Sequence, residues 1–221
     1  MNENLKKHDP ELIDLRLKLL DQCFQNNLHH LGSAFSSLPV IYEIYKQMTL
    51  SDKFILSNGH AAAALYVVLE KFRNQEASKL FKEIGDHPKR NVNYNIDCST
   101  GSLGMGITVA VGMAIANPEI NIYCLVSDGE CSEGSVWEAL RFSNRKNLNN
   151  LHFYFSLNGW AGYDPVDLEK LASDLLSVYP KSNIRFTNNS PFEEFGLKGH
   201  YMNLSENLYL EKKEQICAEH L

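Results

Sequence analysis

Two short apolar runs, separated by one predicted helix, constrain the fold of this chain more than any other feature. Residues 122–126 (Ile-Tyr-Cys-Leu-Val) and 151–155 (Leu-His-Phe-Tyr-Phe) have the continuous hydrophobicity that is typical of strands buried in a parallel sheet. Residues 134–146 between them favour a helix. A strand, a crossover helix and a second strand form a βαβ unit, so the sequence predicts an α/β fold with a parallel sheet flanked by helices.

Further elements are predicted on both sides of this unit. Asp9 followed by Pro10 is typical of a helix start, and Ser37 is a candidate cap for a second helix. The other expectations are strands at 54–56 and 183–187, helices at 61–72, 103–116 and 165–179, and a long loop at 85–102. We expect one α/β domain over residues 1–187 and a weakly organised C-terminal tail over residues 188–221.

Composition and charge exclude several classes of protein. The formal net charge is −6 and Lys and Arg do not cluster, which argues against a nucleic-acid partner. Charged residues interrupt the first twenty positions, and no apolar run approaches the ~18 residues of a membrane span, so we predict a cytoplasmic protein without a membrane partner. The five cysteines form no C-x-x-C pair and are predicted to be reduced thiols.

Oxygen-bearing side chains follow both central strands. Asp128 comes directly after the first strand and Asn158 after the second, and 158 minus 128 gives a separation of 30 residues. Ligands of open α/β sheets lie beyond the carboxyl ends of the strands. A carboxylate, an amide oxygen and a nearby backbone carbonyl form a hard, incomplete oxygen shell, which suits Mg²⁺ bound to substrate phosphate. Gly129 would let the chain pass close to such a ligand.

These residues also carry a resemblance to a known family. Ser127-Asp128-Gly129-Glu130 followed by Asn158-Gly159 resembles the thiamine diphosphate signature, in which Gly-Asp-Gly precedes an Asn by about thirty residues; Ser127 replaces its first glycine. Further segments resemble the N-terminal domain of transketolases, and the resemblance covers roughly residues 11–165. These segments are His30-Leu31-Gly32-Ser33, Leu56-Ser57-Asn58-Gly59-His60, Ser99-Thr100-Gly101-Ser102-Leu103-Gly104-Met105-Gly106-Ile107 and Asp128-Gly129-Glu130-Cys131-Ser132-Glu133-Gly134.

The resemblance implies a set of cofactor-binding and metal-binding residues. Asp128, Asn158 and the carbonyl of Trp160 would be ligands of Mg²⁺, or of Ca²⁺ or Mn²⁺. Gly129 and His60 would contact the diphosphate of thiamine diphosphate. The backbone beside the rings of the cofactor would come from Gly101 and Leu103.

The resemblance also implies catalytic residues. His30 and His87 match histidines that line a substrate channel, and His200 corresponds to a late family histidine near the substrate. Histidine suits this proton chemistry because it titrates near neutral pH. Glu133 and Glu138 match carboxylates at a subunit interface.

A second polypeptide is part of the same expectation. Thiamine catalysis needs a pyrimidine-binding domain whose glutamate activates the cofactor, and the resemblance includes split enzymes in which another subunit supplies that domain. We therefore expect the N-terminal subunit of a transketolase-like transferase, paired with a C-terminal subunit in an α2β2 assembly. The substrates would be small sugars, with a two-carbon ketol unit passing from a ketose or ketose phosphate to an aldose.

Several less specific interpretations compete with these assignments. Asp128 could cap a helix, Asn158-Gly159 could be a turn, and His60 could begin a helix. His29 could replace His30, and His87 and the two glutamates could be solvated. For the whole chain, the alternatives are another thiamine diphosphate-dependent carboligase or decarboxylase, or a non-catalytic interaction subunit. A dinucleotide-binding domain is disfavoured because glycines 101, 104 and 106 have the wrong order.

Overall fold

Four parallel strands form the centre of the protein. The structure, a computed structural model, describes residues 9–162 and 164–219. The strands are hydrogen-bonded in their chain order, so each connection is a crossover. They are β1 (Lys53–Leu56), β2 (Ile122–Ser127), β3 (Leu151–Leu157) and β4 (Asn183–Phe186). The α/β class and the parallel sheet predicted from the sequence are therefore confirmed.

Eight α-helices surround this sheet within the described residues. They are α1 (Pro10–Gln25), α2 (Leu31–Gln47), α3 (Ala62–Arg73), α4 (Ala77–Ile84), α5 (Met105–Ala116), α6 (Gly134–Lys146), α7 (Leu168–Val178) and α8 (Glu206–Ala218). None of them is both long and apolar enough to cross a bilayer, as far as the described residues extend. All five cysteines are free thiols, as predicted.

The sheet separates two hydrophobic layers. Because successive strand residues point to opposite faces, Tyr123 and Leu125 of β2 pack with α1 to α4, whereas Cys124 and Val126 pack with α5 to α7. The same alternation occurs in β3, where Tyr154 joins the first layer. This sandwich leaves the carboxyl ends of the strands accessible to the loops that follow them.

Two helix boundaries differ in how well local signals predicted them. Asp9 caps α1 as expected, because its carboxylate accepts a hydrogen bond from the Glu11 amide at 3.0 Å. Ser37 was expected to cap α2, but this helix begins six residues earlier, at Leu31. Ser37 is buried inside the helix, and its hydroxyl accepts a hydrogen bond from the Asn58 side chain instead.

Regular structure continues beyond β4 within the described residues. A 3₁₀ helix, Glu193–His200, is followed by α8, which Ser205 caps. The α8 helix packs on α1, where the rings of Phe24 and Tyr209 stack with centroids 4.4 Å apart. Tertiary contacts with α1 stabilise this helix, although its sequence lacks a clear apolar stripe.

Candidate active site

Asp128 and Asn158 meet beyond the ends of β2 and β3. The two strands pair as far as Ser127 opposite Ser156, so the residues that follow emerge side by side. The Oδ2 atom of Asp128 accepts hydrogen bonds from the backbone amides of Asn158 and Gly159, both at 2.8 Å. Its Oδ1 atom accepts from the Gly129 amide at 3.0 Å. The structure therefore brings together two of the three metal ligands suggested by the sequence.

Burial makes Asp128 responsive to a nearby cation. The side chain is almost inaccessible to water, and this burial raises the pKa of Asp128 to about 6 against the opposing effect of its backbone donors. Desolvation disfavours the ionised carboxylate, whereas a positive charge close by favours it. A divalent metal at this point would keep Asp128 ionised.

The oxygen atoms available at these strand ends are suitable ligands for a magnesium ion. A carboxylate offers about four acceptor positions, of which three backbone amides occupy three in Asp128. The Oδ1 atom of Asn158 accepts one hydrogen bond, from the Trp160 amide at 2.9 Å, which leaves it one acceptor position. Mg²⁺ typically binds only a few protein oxygens and completes its coordination with phosphate oxygens and water. Among the described residues no group of three or more His, Cys, Asp or Glu could hold a metal by itself.

The first two turns of α2 support the same region. The Asn158 side chain donates to the Ser36 hydroxyl at 2.9 Å, which fixes the orientation of its amide. The His60 ring nitrogen Nε2 lies 3.1 Å from the Ser33 hydroxyl. His30 precedes α2 in a left-handed conformation with φ of 59°, and its ring centroid lies 4.9 Å from that of His60. Ser33 and Ser36 were not among the predicted site residues.

Three of the predicted histidines line one cavity of about 540 Å³. His30, His60 and His87 all contribute to its wall, together with Asp86 and Tyr201 among others. The Nδ1 atom of His87 lies 3.2 Å from the Asp86 carboxylate. Histidines that are distant in the sequence thus converge on one cavity.

Tyr201 also lines this cavity, although it is not one of the predicted site residues. It belongs to the C-terminal segment, and its hydroxyl donates to the carbonyl of Gly162 at 2.8 Å. Its ring centroid lies 6.2 Å from that of His30. The neighbouring histidine, His200, ends the 3₁₀ helix, but its side chain is outside what the structure describes.

The loop that contains Gly101 and Leu103 lies against the end of β1. Thr100 donates its hydroxyl hydrogen to the Leu56 carbonyl at 2.6 Å. A Cβ atom on Gly59 would lie only 2.6 Å from the Thr100 carbonyl oxygen, so no side chain fits between these two segments. A Cβ atom on Gly101 would lie 3.3 Å from the His87 ring. The predicted backbone contacts to a cofactor are therefore adjacent to the histidine-lined cavity.

Glu130 is a buried acid at the centre of these loops. It is 0% exposed, and burial raises the pKa of its carboxyl group. It accepts hydrogen bonds from the Ser57 hydroxyl at 2.6 Å, the Gly104 amide at 3.0 Å and the Ser127 amide at 3.1 Å. The sequence shows only an acid in an Asp-Gly-Glu turn, and its partners lie up to 73 positions away, so no local signal could identify its role.

The remaining predicted residues lie on the surface of the chain. Glu133 directly precedes α6, and Glu138 lies within this helix; both side chains are exposed. Ser127, which replaces the first glycine of the signature, is buried instead, and its hydroxyl accepts a hydrogen bond from the Glu130 amide at 3.4 Å.

The fold and the site define an α/β domain with a cluster of oxygen-bearing groups at the carboxyl ends of two parallel strands. The family model described as "Transketolase, thiamine diphosphate binding domain" matches residues 11–161. The chain therefore belongs to the transketolase family, and the match covers its thiamine diphosphate-binding domain.

Related proteins agree with this assignment. Transketolase-like protein 2 from Mus musculus is 40% identical over 130 residues, which are 53% of this chain and 21% of that protein. One subunit of the apulose-4-phosphate transketolase from Phocaeicola vulgatus is 34% identical over 156 residues, which are 62% of this chain and 55% of that protein.

The structural comparison supports the fold. A crystal structure of transketolase from Campylobacter jejuni superposes with a TM-score of 0.73 at 21% identity, covering 98% of this chain and 43% of the other. The chain thus spans about a fifth of its mammalian relatives and less than half of that structure.

Proposed function

We propose that this chain is the diphosphate-binding subunit of a transketolase-like enzyme that transfers a two-carbon ketol unit from a ketose or ketose phosphate to an aldose. Its cofactor-binding domain would extend over residues 1–187. The observation that carries the proposal is the meeting of Asp128 and Asn158, 30 positions apart, within hydrogen-bonding distance beyond two neighbouring strands. The family assignment gives this geometry its chemical meaning.

Residues at the strand ends would hold the cofactor. Asp128, the Asn158 amide oxygen and the Trp160 carbonyl would bind Mg²⁺, with Gly129 and His60 at the diphosphate. Gly101 and Leu103 would contribute backbone beside the rings. When bound, thiamine diphosphate would supply the carbon nucleophile that takes up the two-carbon unit.

The histidine-lined cavity would receive the sugar. His30 and His87 can donate or accept hydrogen bonds with sugar hydroxyls, and we place His200 in the same role. The Ser33 hydroxyl at 3.1 Å restrains the His60 ring, and the Asp86 carboxylate at 3.2 Å restrains that of His87. Rings held in this way would orient the donor and acceptor carbonyls and guide proton transfer to and from their oxygens.

A C-terminal transketolase-like polypeptide would complete the site. The Phocaeicola vulgatus relative supports this arrangement, since its name describes one chain of a divided transketolase. Exposed carboxylates at Glu133 and Glu138 would face the partner subunit, whose own glutamate would activate the cofactor. We propose an α2β2 assembly, which would also exclude water from the reacting centre.

The direct test is reconstitution of the activity. Purified chain, the C-terminal subunit from the same source, Mg²⁺ and thiamine diphosphate are mixed, and ketol transfer is measured with a panel of ketose donors and aldose acceptors. We expect transfer only when both subunits are present. Chelation of the metal should abolish the activity, and added Mg²⁺ should restore it.

Two further measurements separate the alternative functions. Carbon dioxide release from pyruvate without ketol transfer would indicate a decarboxylating thiamine enzyme instead. Calorimetric titration of the assembled complex with thiamine diphosphate and Mg²⁺ should show saturable binding. A complex that binds neither cofactor nor metal would contradict the proposal and would indicate a non-catalytic interaction subunit.

A further inference from the structure

We propose that Glu130 is a positioning residue whose buried carboxylate fixes three of the segments that present the proposed cofactor-binding residues. This inference rests on the proposed function, because it concerns the same cofactor site. Glu130 itself is 0% exposed, so it acts through the segments that it joins.

Each hydrogen bond that the Glu130 carboxylate accepts comes from a different segment of the proposed cofactor site. Ser57 follows β1 and lies three residues before His60. Gly104 directly follows the loop that contains Gly101 and Leu103. Ser127 ends β2, immediately before Asp128. One side chain therefore sets the relative positions of the proposed diphosphate, ring and metal contacts.

Close backbone approaches make this junction sensitive to small displacements. A Cβ atom on Gly106 would lie 2.6 Å from the Ser57 Cα atom, and one on Gly104 would lie 2.8 Å from the Glu133 Cβ atom. The Gly104 carbonyl accepts a hydrogen bond from the Ser135 hydroxyl at 2.9 Å, so its peptide groups are held on both sides. Segments packed this tightly move together when their shared acceptor changes.

A carboxylate suits this junction better than any neutral side chain of similar size. All three partners are donors, and a carboxylate consists of acceptors only. A glutamine would direct its NH₂ group at one of these donors, so two N–H groups would face each other and a buried hydrogen bond would be lost. The Glu130→Gln variant therefore preserves volume and removes the specific function of the charge.

The test compares cofactor affinity among matched variants of the assembled complex. Glu130→Gln, Ser57→Ala and the double variant are titrated with thiamine diphosphate at saturating Mg²⁺ by calorimetry. Glu119→Gln, the same change at an exposed site before β2, is the control. Thermal unfolding is recorded for every variant, and the KM for the sugar donor is measured beside the cofactor Kd.

We expect Glu130→Gln to raise the cofactor Kd at least tenfold at temperatures far below unfolding, with a smaller change in the sugar KM. Ser57→Ala should raise the cofactor Kd several-fold. The double variant should raise the Kd above that of Glu130→Gln by a smaller factor than Ser57→Ala alone, because both changes affect one hydrogen-bond network. Glu119→Gln should bind like the unmodified complex.

The outcomes separate this inference from the proposed function. An unmodified complex that does not bind the cofactor overturns both. Unchanged affinity in Glu130→Gln, beside normal binding by the unmodified complex, overturns the positioning role alone. If Glu130→Gln does not fold, Ser57→Ala decides, and an unchanged Kd in that variant rejects the proposal. Equal losses of cofactor and sugar affinity would indicate a general structural defect and would also reject it.

Discussion

Asp128 combines a charged group with burial in a way that needs a compensating partner. Three backbone amides donate to its carboxylate, yet desolvation still raises its pKa. Buried carboxylates are expensive unless they are paired or bound to a metal. Asp128 therefore favours binding of a cation beyond the carboxyl ends of β2 and β3.

Replacement of Asp128 by Asn should separate metal binding from folding. The variant loses the anionic ligand and turns an NH₂ group towards buried amide donors, so the assembled complex should bind thiamine diphosphate and Mg²⁺ at least about tenfold more weakly, or about 1.4 kcal/mol. Calorimetric titration measures this change. Asp174→Asn, on the surface of α7, is the matched control and should leave the affinity unchanged. Equal affinities for the two variants would argue against Asp128 as a metal ligand.

Residues next to a local sequence pattern could be predicted to lie together, whereas residues whose contacts are distant in the sequence could not. Asp128 and Asn158 could be found because each directly follows an apolar strand, and parallel strands end at one edge. Glu130 could not, because its three donors belong to segments that only the folded chain assembles. Tyr201 lies in the C-terminal segment, where no motif precedes it.

Helix α5 contains two glycines that should respond oppositely to the same substitution. A Cβ atom on Gly106 would lie 2.6 Å from the Ser57 backbone, whereas nothing lies within 4 Å of one on Gly112. We expect Gly106→Ala to destabilise the chain by roughly 1–3 kcal/mol through overpacking. Gly112→Ala should stabilise it by roughly 0.5–1 kcal/mol, because alanine is the better helix former.

Urea unfolding of the two single variants measures both effects in one helix. Each variant serves as the control for the other, since the residue change and the element are the same. A similar shift of the unfolding midpoint in both variants would show that helix propensity alone determines the change in stability. The tight contact between Gly106 and Ser57 would then make no measurable contribution.

Elements with strong internal patterns were predicted well, and those that depend on tertiary contacts were not. The strands β2 and β3 and the helix α6 were placed nearly at their observed bounds, because their composition differs sharply from that of their flanks. The start of α2 was misplaced, because no side chain caps it and His30 adopts a left-handed conformation there. Helix α4 was missed because it is only eight residues long.

At the scale of the whole molecule, the N-terminal and C-terminal segments stabilise one another. Arg16 of α1 forms an ion pair with Glu219, which follows α8, and it also donates to the Ser190 carbonyl at 3.0 Å. Ile216 of α8 is 0% exposed and belongs to the hydrophobic layer of α1 to α4. The described part of the C-terminal segment thus packs on the α/β domain.

Truncation of Ile216 should reveal this coupling. Ile216→Ala should lower the free energy of unfolding by roughly 2–5 kcal/mol, the usual range for a buried aliphatic side chain. Leu210→Ala, in the same helix but 50% exposed, should change it by less than about 0.5 kcal/mol. Denaturant unfolding measures both, and a small loss in Ile216→Ala would show that α8 detaches without cost to the core.

Because the sheet separates two hydrophobic layers, the residues of one layer can vary in evolution independently of those in the other. Replacing Cys124 or Val126 changes only the packing beneath α5 to α7, while Tyr123 and Leu125 continue to support the helices behind the histidine cavity. Substitutions beneath α5 to α7 can therefore accumulate without altering the hydrophobic layer behind the histidine-lined cavity.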